Sequence, residues 1–291
     1  MARHAVDMGE LESDGPPGAP QARTIATAAD WDIAEYTCHY GPGDRAFEEQ
    51  HGHYTIAAVM QGHFTYRTDN GRGLMQPGAL LLGNQGKCFE CGHEHGIGDR
   101  CIALHIAPQL FDEIAASVTG ALNYKFRRAA LPPMPGLLPQ VAKIETLASQ
   151  GDALLIGQSV PTLVASILSA ASGQQPTRRA ATARDERRVS RVLSYLQANA
   201  SKESLGLDEL ADVAIMSKYH FLRTFQQTVG VTPHQYLLNL RLRGAAVRLA
   251  TTSEPVTKVA LDNGFGDLST FNDRFRRVFG THPLAYRARG G

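Results

Sequence analysis

The segment Phe221–Tyr236, FLRTFQQTVGVTPHQY, recurs fifty positions later as Phe271–Tyr286, FNDRFRRVFGTHPLAY. Five anchor positions keep the same residue in both copies: Phe221 and Phe271, Phe225 and Phe275, Gly230 and Gly280, Pro233 and Pro283, and Tyr236 and Tyr286. Repeated anchors with differing residues between them indicate that one supersecondary unit is present twice. We therefore expect the anchors to form two equivalent cores and the variable positions to face outward.

A shorter helical pattern precedes each copy, at about 207–214 and about 256–263. Ser217 and Asp267 stand before the longer segments, where a side-chain oxygen can accept hydrogen bonds from free amides of the first helical turn. Gly264 can supply the positive φ that a sharp reversal between two helices needs. Each unit is thus predicted to be a helix-turn-helix, and in DNA-binding proteins the second helix of this motif enters the major groove.

The composition bounds the class of protein. The chain has 291 residues, 43% of them hydrophobic, which predicts about two domains. No apolar run approaches the roughly 18 to 20 residues of a membrane span, so we expect a soluble protein without membrane contact. Residues 1–24 lack the apolar core of a secretory signal and are predicted to be a disordered leader. Four cysteines are too few for a disulfide scaffold, and we expect a cytoplasmic location.

The net charge of +1 conceals an asymmetry along the chain. Residues 184–291 contain 16 Lys and Arg against 10 Asp and Glu, a net charge of +6, which leaves −5 for residues 1–183. A positive domain attracts phosphate while the remainder of the chain repels it. This division is typical of a DNA-binding module that carries a second, separate domain.

The amino-terminal part, residues 25–107, is predicted to be a β-barrel. Short β-prone runs alternate there with Gly-Pro and Asn-Gly turns, a pattern typical of barrels and sandwiches. His51-Gly-His53 and the Pro77-Gly78 turn resemble the cupin superfamily, in which these motifs supply metal ligands. Two of the four ligand positions hold Ala and Leu in this chain, so the resemblance supports a barrel and argues against a cupin metal enzyme.

A helical period begins after the barrel and covers residues 108–172. Its long apolar stretch, Leu154–Leu168, is interrupted by Pro161. We expect these helices to pack either on the barrel or against a second copy in a homodimer, and the sequence leaves both alternatives open. Residues 173–183 are polar and aperiodic and are predicted to be a linker to a domain at 184–291.

Residues 189–287 resemble the DNA-binding domain of the AraC/XylS family of bacterial transcription regulators, with units at about 207–228 and 256–278. The positions that match the family spacing are Leu210, Ala211, Ser217, Phe221, Arg223, Phe225, Gly230, Pro233, Tyr236, Arg241, Ala245, Val259, Ala260, Gly264, Phe265, Phe271, Phe275, Gly280, Pro283, Tyr286 and Arg287.

The resemblance implies an α+β multidomain protein. Its carboxy-terminal domain would have seven helices, with two helix-turn-helix units joined by a long helix, behind a cupin-like sensing domain. It also implies a transcription activator that binds double-stranded DNA, a small-molecule effector and RNA polymerase. Such a protein is not an enzyme and requires no cofactor.

Helical geometry separates reading positions from anchors, because side chains on the face opposite the phenylalanines point away from the core. The candidate base-reading residues are Tyr219, Leu222, Arg223, Gln226, Ser269, Asn272 and Asp273. The candidate phosphate contacts are Ser217, Lys218, Arg274, Arg276 and Arg277. The family places base contacts at Tyr219, Leu222, Arg223, Ser269 and Asp273. Asp273 can accept from a cytosine amino group, or it can pair with a nearby arginine instead.

A cysteine-rich segment, KCFECGHEHGIGDRC, supports an alternative function. Its candidate ligands for zinc or another thiophilic metal are Cys88, Cys91, His93, His95 and Cys101, on what we expect to be a loop. A metal-sensing regulator, or one that uses a reversible Cys88–Cys91 disulfide, is therefore the second hypothesis. The third, a cupin-type enzyme fused to a DNA module, has neither a complete ligand set nor a nucleophile with a base.

Overall fold

The structure is a computed structural model of the chain, and it describes residues 20–93, 98–121, 123–172, 182–202 and 205–290, apart from the side chain of Tyr219. The first strand begins at Gln21, so the last four residues of the predicted 1–24 leader belong to the sheet. Most of the predicted 173–183 linker lies outside the described residues. Its last residue, Ala183, already begins a helix.

Two antiparallel sheets form the amino-terminal domain. The strands are β1 (Gln21–Thr27), β2 (Trp31–Cys38), β3 (Phe47–Gln50), β4 (Tyr54–Gly62), β5 (Phe64–Thr68), β6 (Gly71–Met75), β7 (Leu80–Gly83), β8 (Cys88–Gly92), β9 (Asp99–Ile106) and β10 (Ala130–Leu131). The larger sheet has the order β1-β2-β9-β4-β7-β10, and the smaller one has the order β3-β8-β5-β6. A core that includes Tyr66, Met75 and Leu81 fills the space between them.

Three helices cover the outer face of the larger sheet. They are α1 (Pro108–Thr119), α2 (Leu138–Gln150) and α3 (Ala153–Ser172), and a 3-10 turn at Pro135–Leu137 precedes α2. Alternate residues of the strands and the inward faces of these helices share one apolar core. The predicted helical region 108–172 therefore also contains the short strand β10, which extends the larger sheet.

Helix α3 differs from its sequence-based prediction in one respect. Pro161 lies inside the helix without ending it, so the apolar stretch forms one 20-residue helix. In the described part of the chain, α3 alone has the length and apolar composition of a membrane span, which core helices of soluble proteins also have. Its residues Ile156, Val160 and Val164 are buried in the core shared with the sheet. This face is therefore covered within the chain, which agrees with the intramolecular alternative for it.

The carboxy-terminal domain has seven helices within the described residues, as the family resemblance implies. They are α4 (Ala183–Ala198), α5 (Leu207–Ala214), α6 (Lys218–Val229), α7 (Pro233–Thr251), α8 (Val256–Asp262), α9 (Leu268–Phe279) and α10 (Pro283–Ala288). Helices α5 and α6 form the first helix-turn-helix unit, and α8 and α9 form the second. Helix α7 joins the two units, and α4 and α10 pack at either end.

The repeated anchors form two separate cores, as predicted. Phe221, Phe225 and Tyr236 are fully buried in the first core, together with residues of α4 and α5. Phe271 and Phe275 are fully buried in the second core, against α7, α8 and α10. In both units the two phenylalanine rings touch at centroid distances of 5.6 and 5.4 Å. Burial of large aromatic surfaces is the main apolar contribution to each small unit.

Gly264 is required by its surroundings, and Gly244 lies close to a neighbouring side chain. Gly264 ends the turn between α8 and α9 with a φ of +80°, and a Cβ there would lie 2.8 Å from the carbonyl oxygen of Ala200. Gly244 lies inside α7, where glycine normally costs ~1 kcal/mol relative to alanine. A Cβ at Gly244 would lie 2.5 Å from Oδ1 of Asn263. The side chain of Asn263, which follows α8, therefore lies against the backbone of α7, and a larger residue at position 244 would have to displace it.

The two domains pack directly on each other. Arg72 on β6 donates to both carboxylate oxygens of Glu186 on α4, at 2.7 and 2.6 Å. The side-chain amide of Asn239 on α7 donates to the carbonyl oxygen of Pro133 at 2.7 Å. Leu138 and Ala142 of α2 belong to the core of the second helix-turn-helix unit. The carboxy-terminal domain is therefore held against the barrel domain through apolar and ionic contacts.

Candidate nucleic-acid interface

Helix α6 exposes one face of the first unit. Leu222 is 37% exposed, and Arg223 and Gln226 are also exposed, whereas Phe221 and Phe225 point into the core. Gln226 lies about one helical turn after both Leu222 and Arg223, four and three positions on, so it is a surface neighbour of each. The side chain of Tyr219 lies outside the described part of the structure. The face predicted from the repeat is therefore present and free on this helix.

Helix α9 exposes the corresponding face of the second unit. Ser269, Asp273 and Arg276 are exposed, as predicted. Asn272 is half-buried, so it presents less of its amide than the sequence-based prediction assumed. The last turn of α9 carries Arg276 and Arg277. This helix therefore offers one acceptor and several cations on its outward side.

Ion pairs engage three of the candidate residues. Arg277 donates to Asp273 at 3.4 Å, one turn apart on α9, with side chains that are 67% and 70% exposed. This contact agrees with the alternative in which Asp273 pairs with an arginine. Lys218 at the start of α6 contacts Asp208 of α5 at 2.6 Å. Exposed pairs of this kind contribute at most ~1 kcal/mol, so a phosphate can replace the carboxylate in either pair.

The amino-terminal caps of helices α6 and α9 differ. Asp267 accepts a hydrogen bond from the amide of Thr270 at 2.7 Å, as predicted for the start of α9. That backbone hydrogen bond holds the pKa of the Asp267 carboxyl below its usual range. Ser217 occupies the N-cap of α6 but makes no side-chain capping bond, contrary to the prediction. The exposed hydroxyl of Ser217 thus stands beside free amides at the positive end of a helix.

Helix α7 fixes the two units relative to each other. Its 19 residues span roughly 28 Å at the usual helical rise. Thr232 caps it by accepting from the amide of Gln235 at 3.2 Å, and Pro233 occupies its first turn. Arg241 donates to the carbonyl oxygen of Ala200 at 2.8 Å, which holds α7 against the turn after α4. Helix α7 therefore holds the two exposed faces in a fixed position relative to each other.

A charged cluster braces the second unit in the same way. Arg248 on α7 donates to Glu254 at 2.6 Å and to Asp262 of α8 at 2.9 Å. Lys258 contacts the same two carboxylates, each at 2.8 Å. The neighbouring cations lower the pKa of both carboxyls. These contacts tie α8 to the end of α7. They therefore also fix the start of α9, the helix that follows α8.

The barrel interior contains the cupin-like histidine. His51 is buried, and its Nε2 shares a hydrogen bond of 2.8 Å with the hydroxyl of Tyr66. Its ring stacks on Phe89 at a centroid distance of 4.3 Å. Burial lowers the pKa of His51 to about 4, so the ring is neutral near pH 7. His53 is exposed, so the two histidines of the motif do not converge on one metal.

The cysteine segment differs from its prediction. Cys88 and Cys91 lie on strand β8, and the first is exposed while the second is buried. An odd spacing on a strand directs two side chains to opposite faces, so these thiols can neither chelate one ion nor form a disulfide. The Cys88–Cys91 disulfide is therefore wrong, and residues 88–92 and 99–101 are strand rather than the predicted loop. His95 lies outside the described residues.

The buried thiols lie between the two sheets. Cys91 and Cys101 are 5% and 6% exposed, and burial raises the pKa of both thiols. Protonated, buried thiols are poor nucleophiles, which disfavours a redox sensor. Cys38, which is distant in the sequence, is also buried here because β2 pairs Cys38 with Asp99 of β9. No local spacing in the sequence indicates this contribution.

Comparison with known proteins adds two family matches. Residues 34–193 match an AraC-like ligand binding domain, which is more than half of the chain, and residues 210–289 match a helix-turn-helix domain. The XylDLEGF operon transcriptional activator 2 of Pseudomonas putida is 34% identical over 96 residues, which cover 32% of this chain and 60% of that protein. The transcriptional activator RhaS of an Enterobacter species is 34% identical over 103 residues, covering 35% of this chain and 37% of RhaS.

The regions matched in the Pseudomonas activator and in RhaS each span less than two thirds of that protein's own length. The DNA-binding domain of AdpA, solved in complex with a target DNA, is 31% identical with a TM-score of 0.33, and the match covers 35% of this chain and 90% of that one. The ligand-binding match covers the barrel and its helices, and the helix-turn-helix match covers both repeated units. The chain therefore belongs to the AraC/XylS family of bacterial transcription regulators.

Proposed function

We propose that this chain regulates transcription by binding DNA in a sequence-specific manner, with α6 and α9 in two successive major grooves. One observation carries the proposal: two copies of one unit bury the same aromatic anchors and leave corresponding helical faces exposed. Nothing in the described part of the barrel domain covers Arg223 or Arg276. A helix inserted in the major groove needs such a free polar face.

The first reading helix carries the most specific contacts. Arg223 can donate two parallel hydrogen bonds to the O6 and N7 atoms of a guanine, which is the most frequent specific contact in the major groove. Gln226 lies one turn away and can pair with an adenine edge. Leu222 can contact a thymine methyl group. Tyr219 remains a base-reading candidate on the resemblance alone.

The second reading helix combines one acceptor with three cations. Ser269, and to a lesser degree Asn272, can hydrogen-bond a base edge. Asp273 either accepts from a cytosine amino group or orients Arg277 through their ion pair. Arg274, Arg276 and Arg277, with Ser217 and Lys218 on the first unit, are assigned to phosphates. Phosphate contacts fix the position of the protein without selecting a sequence.

Helix α7 sets the spacing between the two helices that contact DNA. Helix α7 cannot bend freely because Arg241 and Arg248 tie its two halves to neighbouring elements. Major grooves on one face of B-DNA recur about every 34 Å. We infer that the two reading helices bind one face of the duplex, one helical turn apart.

The barrel domain is assigned to a small-molecule effector. Polar side chains stand between the sheets: His51 bonds Tyr66, and His105 bonds Asp32 at 2.6 Å while its ring meets Tyr36. Neutral His51 and these hydroxyls suit a ligand with hydrogen-bonding groups. Relatives named as transcriptional activators support a role in activation. Contact with RNA polymerase and a cytoplasmic location are proposed on the family resemblance. We also propose that the chain forms a homodimer and that it is not an enzyme.

The test uses the full chain and duplexes selected by it from a random pool. Affinity is measured by fluorescence anisotropy at several salt concentrations. We expect log affinity to fall linearly with log salt concentration, because arginines release counterions from several phosphates. Arg223→Ala should weaken the selected duplex, whereas Arg127→Ala, at an exposed arginine of the barrel domain, should not. Failure to enrich any sequence, with salt-independent binding, contradicts the proposal.

A further inference from the structure

Three side chains with metal-binding atoms converge at one end of the barrel. Cys38 ends β2, His93 follows β8 and Asp99 begins β9. Their ligand atoms all lie within 4.8 Å of one another, the one such group of three or more across the residues that the structure describes. The register of β2 and β9 places Cys38 directly opposite Asp99. The sheet itself therefore builds the group from segments that are far apart in the sequence.

The group is buried and only partly satisfied by hydrogen bonds. His93 Nε2 lies 2.5 Å from Oδ2 of Asp99, and their side chains are 2% and 7% exposed. The thiol of Cys101 donates to Oδ1 of the same carboxylate at 3.3 Å. The second ring nitrogen of His93, Nδ1, is buried and has no hydrogen-bond partner. That nitrogen lies on the opposite edge of the ring from Nε2, so the Nε2 edge, where the Asp99 carboxylate lies, is the one that can face an ion bound by Asp99.

The imidazole ring is held in place by neighbouring aromatic side chains. Phe64 stacks on His93 at a centroid distance of 5.7 Å. Tyr40 meets the same ring edge-on at 6.0 Å. A ligand side chain whose orientation is fixed by packing loses little entropy when it binds a metal ion. The site is therefore preorganised around His93.

We propose that Cys38, His93, Asp99 and Cys101 form a binding site for zinc or another thiophilic divalent ion. Two sulfurs, one nitrogen and one carboxylate oxygen make the four-ligand set that tetrahedral zinc accepts, at ligand distances of about 2.0 to 2.3 Å. The ion displaces the two thiol protons and the proton shared by His93 and Asp99, and these protons pass to solvent. Cys38, His93 and Asp99 already lie within 4.8 Å of one another, and the thiol of Cys101, which contacts Asp99 but lies outside that group, completes the set by turning toward the ion.

This site replaces the ligand set predicted from the sequence. Cys88 faces outward on β8, whereas Cys38 enters from β2. His93 and Cys101 remain in the set, and both are ligands here. The site also differs from the cupin centre, since His51 is bonded to Tyr66 elsewhere in the barrel.

The position of the site connects it with the DNA-binding domain. Gly62, the last residue of β4, pairs with Asp99, and its amide donates to Oε1 of Gln197 on α4 at 3.2 Å. Arg243 of α7 donates to the carbonyl oxygen of Met60 on the same strand at 2.9 Å. A shift of Asp99 on metal binding would therefore reach two helices of the DNA-binding domain through one strand. This coupling rests on the proposed DNA-binding function.

The first experiment measures metal binding alone. The chelator-treated full chain is titrated with Co²⁺, followed by thiolate-to-cobalt charge-transfer absorption, and with Zn²⁺ in competition with a chromophoric chelator. We expect one ion per chain, with at least tenfold weaker binding in Cys38→Ser and Asp99→Asn. Cys88→Ser, at an exposed cysteine of the same segment, should bind as the wild type does. No binding by the wild type, or equal affinity in all variants, overturns the site.

A second measurement uses the wild type, so its result does not depend on whether variants with substituted buried residues fold. Zn²⁺ should slow the alkylation of Cys38 and Cys101, resolved by mass spectrometry, while Cys88 reacts at an unchanged rate. Equal protection of Cys88, or unchanged rates at Cys38 and Cys101, contradicts the assignment.

The third measurement tests the coupling. The affinity for a selected duplex should change several-fold with Zn²⁺ in the wild type and stay constant in Cys38→Ser. A metal-independent affinity in the wild type overturns the coupling. Absence of DNA binding under all conditions contradicts the proposed function instead, and the metal titrations remain interpretable without it.

Discussion

The ion pair between Arg72 and Glu186 should stabilise the packing of the two domains. Glu186 is buried, with a side chain 7% exposed, and it receives two hydrogen bonds from Arg72 at 2.7 and 2.6 Å. Hydrogen bonds to charged groups contribute about 1.5 to 3 kcal/mol each, net of the hydrogen bonds that water makes in the unfolded chain. The Arg72 side chain is 37% exposed, so water can replace part of the hydrogen bonding that Arg72 loses when Glu186 is substituted. We expect a coupling free energy of about 2 kcal/mol between the two residues.

A double-mutant cycle isolates this coupling. Arg72→Met, Glu186→Gln and the double variant are unfolded in urea, with Trp31, the single tryptophan of the chain, as the fluorescence reporter of the barrel domain. The control cycle uses Arg277 and Asp273, an exposed pair that should couple by about 0 to 0.5 kcal/mol. A coupling for the buried pair no larger than that of the control would refute the reasoning that this contact joins the domains.

Three further predictions concern the reading faces, the barrel and one turn. Arg223→Ala should relax base preference in one half of the bound sequence and cost about 1 to 3 kcal/mol, whereas Arg277→Ala should weaken all sequences alike, as measured by anisotropy on matched and altered duplexes. The pKa of His51 is lowered to about 4 by burial, so its stabilising contribution should be lost as pH falls from about 6.5 to 4; this loss should be smaller in His51→Gln and unchanged in His53→Gln, in urea unfolding at each pH. Gly264→Ala should destabilise the second unit by about 2 kcal/mol or more, because φ is +80° and the added Cβ meets a backbone carbonyl, and thermal unfolding would show it as a lower Tm.

The repeat was the most informative feature of the sequence. Phe221 and Phe271 occupy equivalent buried positions because a helix that packs on its partner must present the same face each time. Local spacing is enough to identify such a face. Both helix-turn-helix units, their joining helix and the exposed residues between the anchors could therefore be predicted without coordinates.

The cysteine segment shows where local spacing stops being informative. The CxxC pattern suggests chelation in a loop, but on strand β8 it separates Cys88 from Cys91. Cys38 approaches His93 only through the pairing of β2 with β9, about sixty positions away along the chain. Strand register is a tertiary property, so spacing within one segment could not identify this ligand set.

The interface between the domains was also outside the reach of sequence patterns. Arg72 and Glu186 are 114 positions apart, and each looks like an ordinary surface charge in its own segment. Leu138 fits equally well in the barrel core and in the core of the second unit, where the structure places it. Such contacts depend on how finished elements pack. They leave no periodic signal in either segment.

Hydroxyl-radical footprinting of the full chain on a selected duplex tests the central claim most directly. If α6 and α9 occupy successive major grooves on one side of the DNA, protection should appear in two patches on one face, about 10 base pairs apart. Arg223→Ala should weaken one patch more than the other. A single protected patch, or patches on opposite faces of the duplex, would contradict the assignment of both helices as DNA readers.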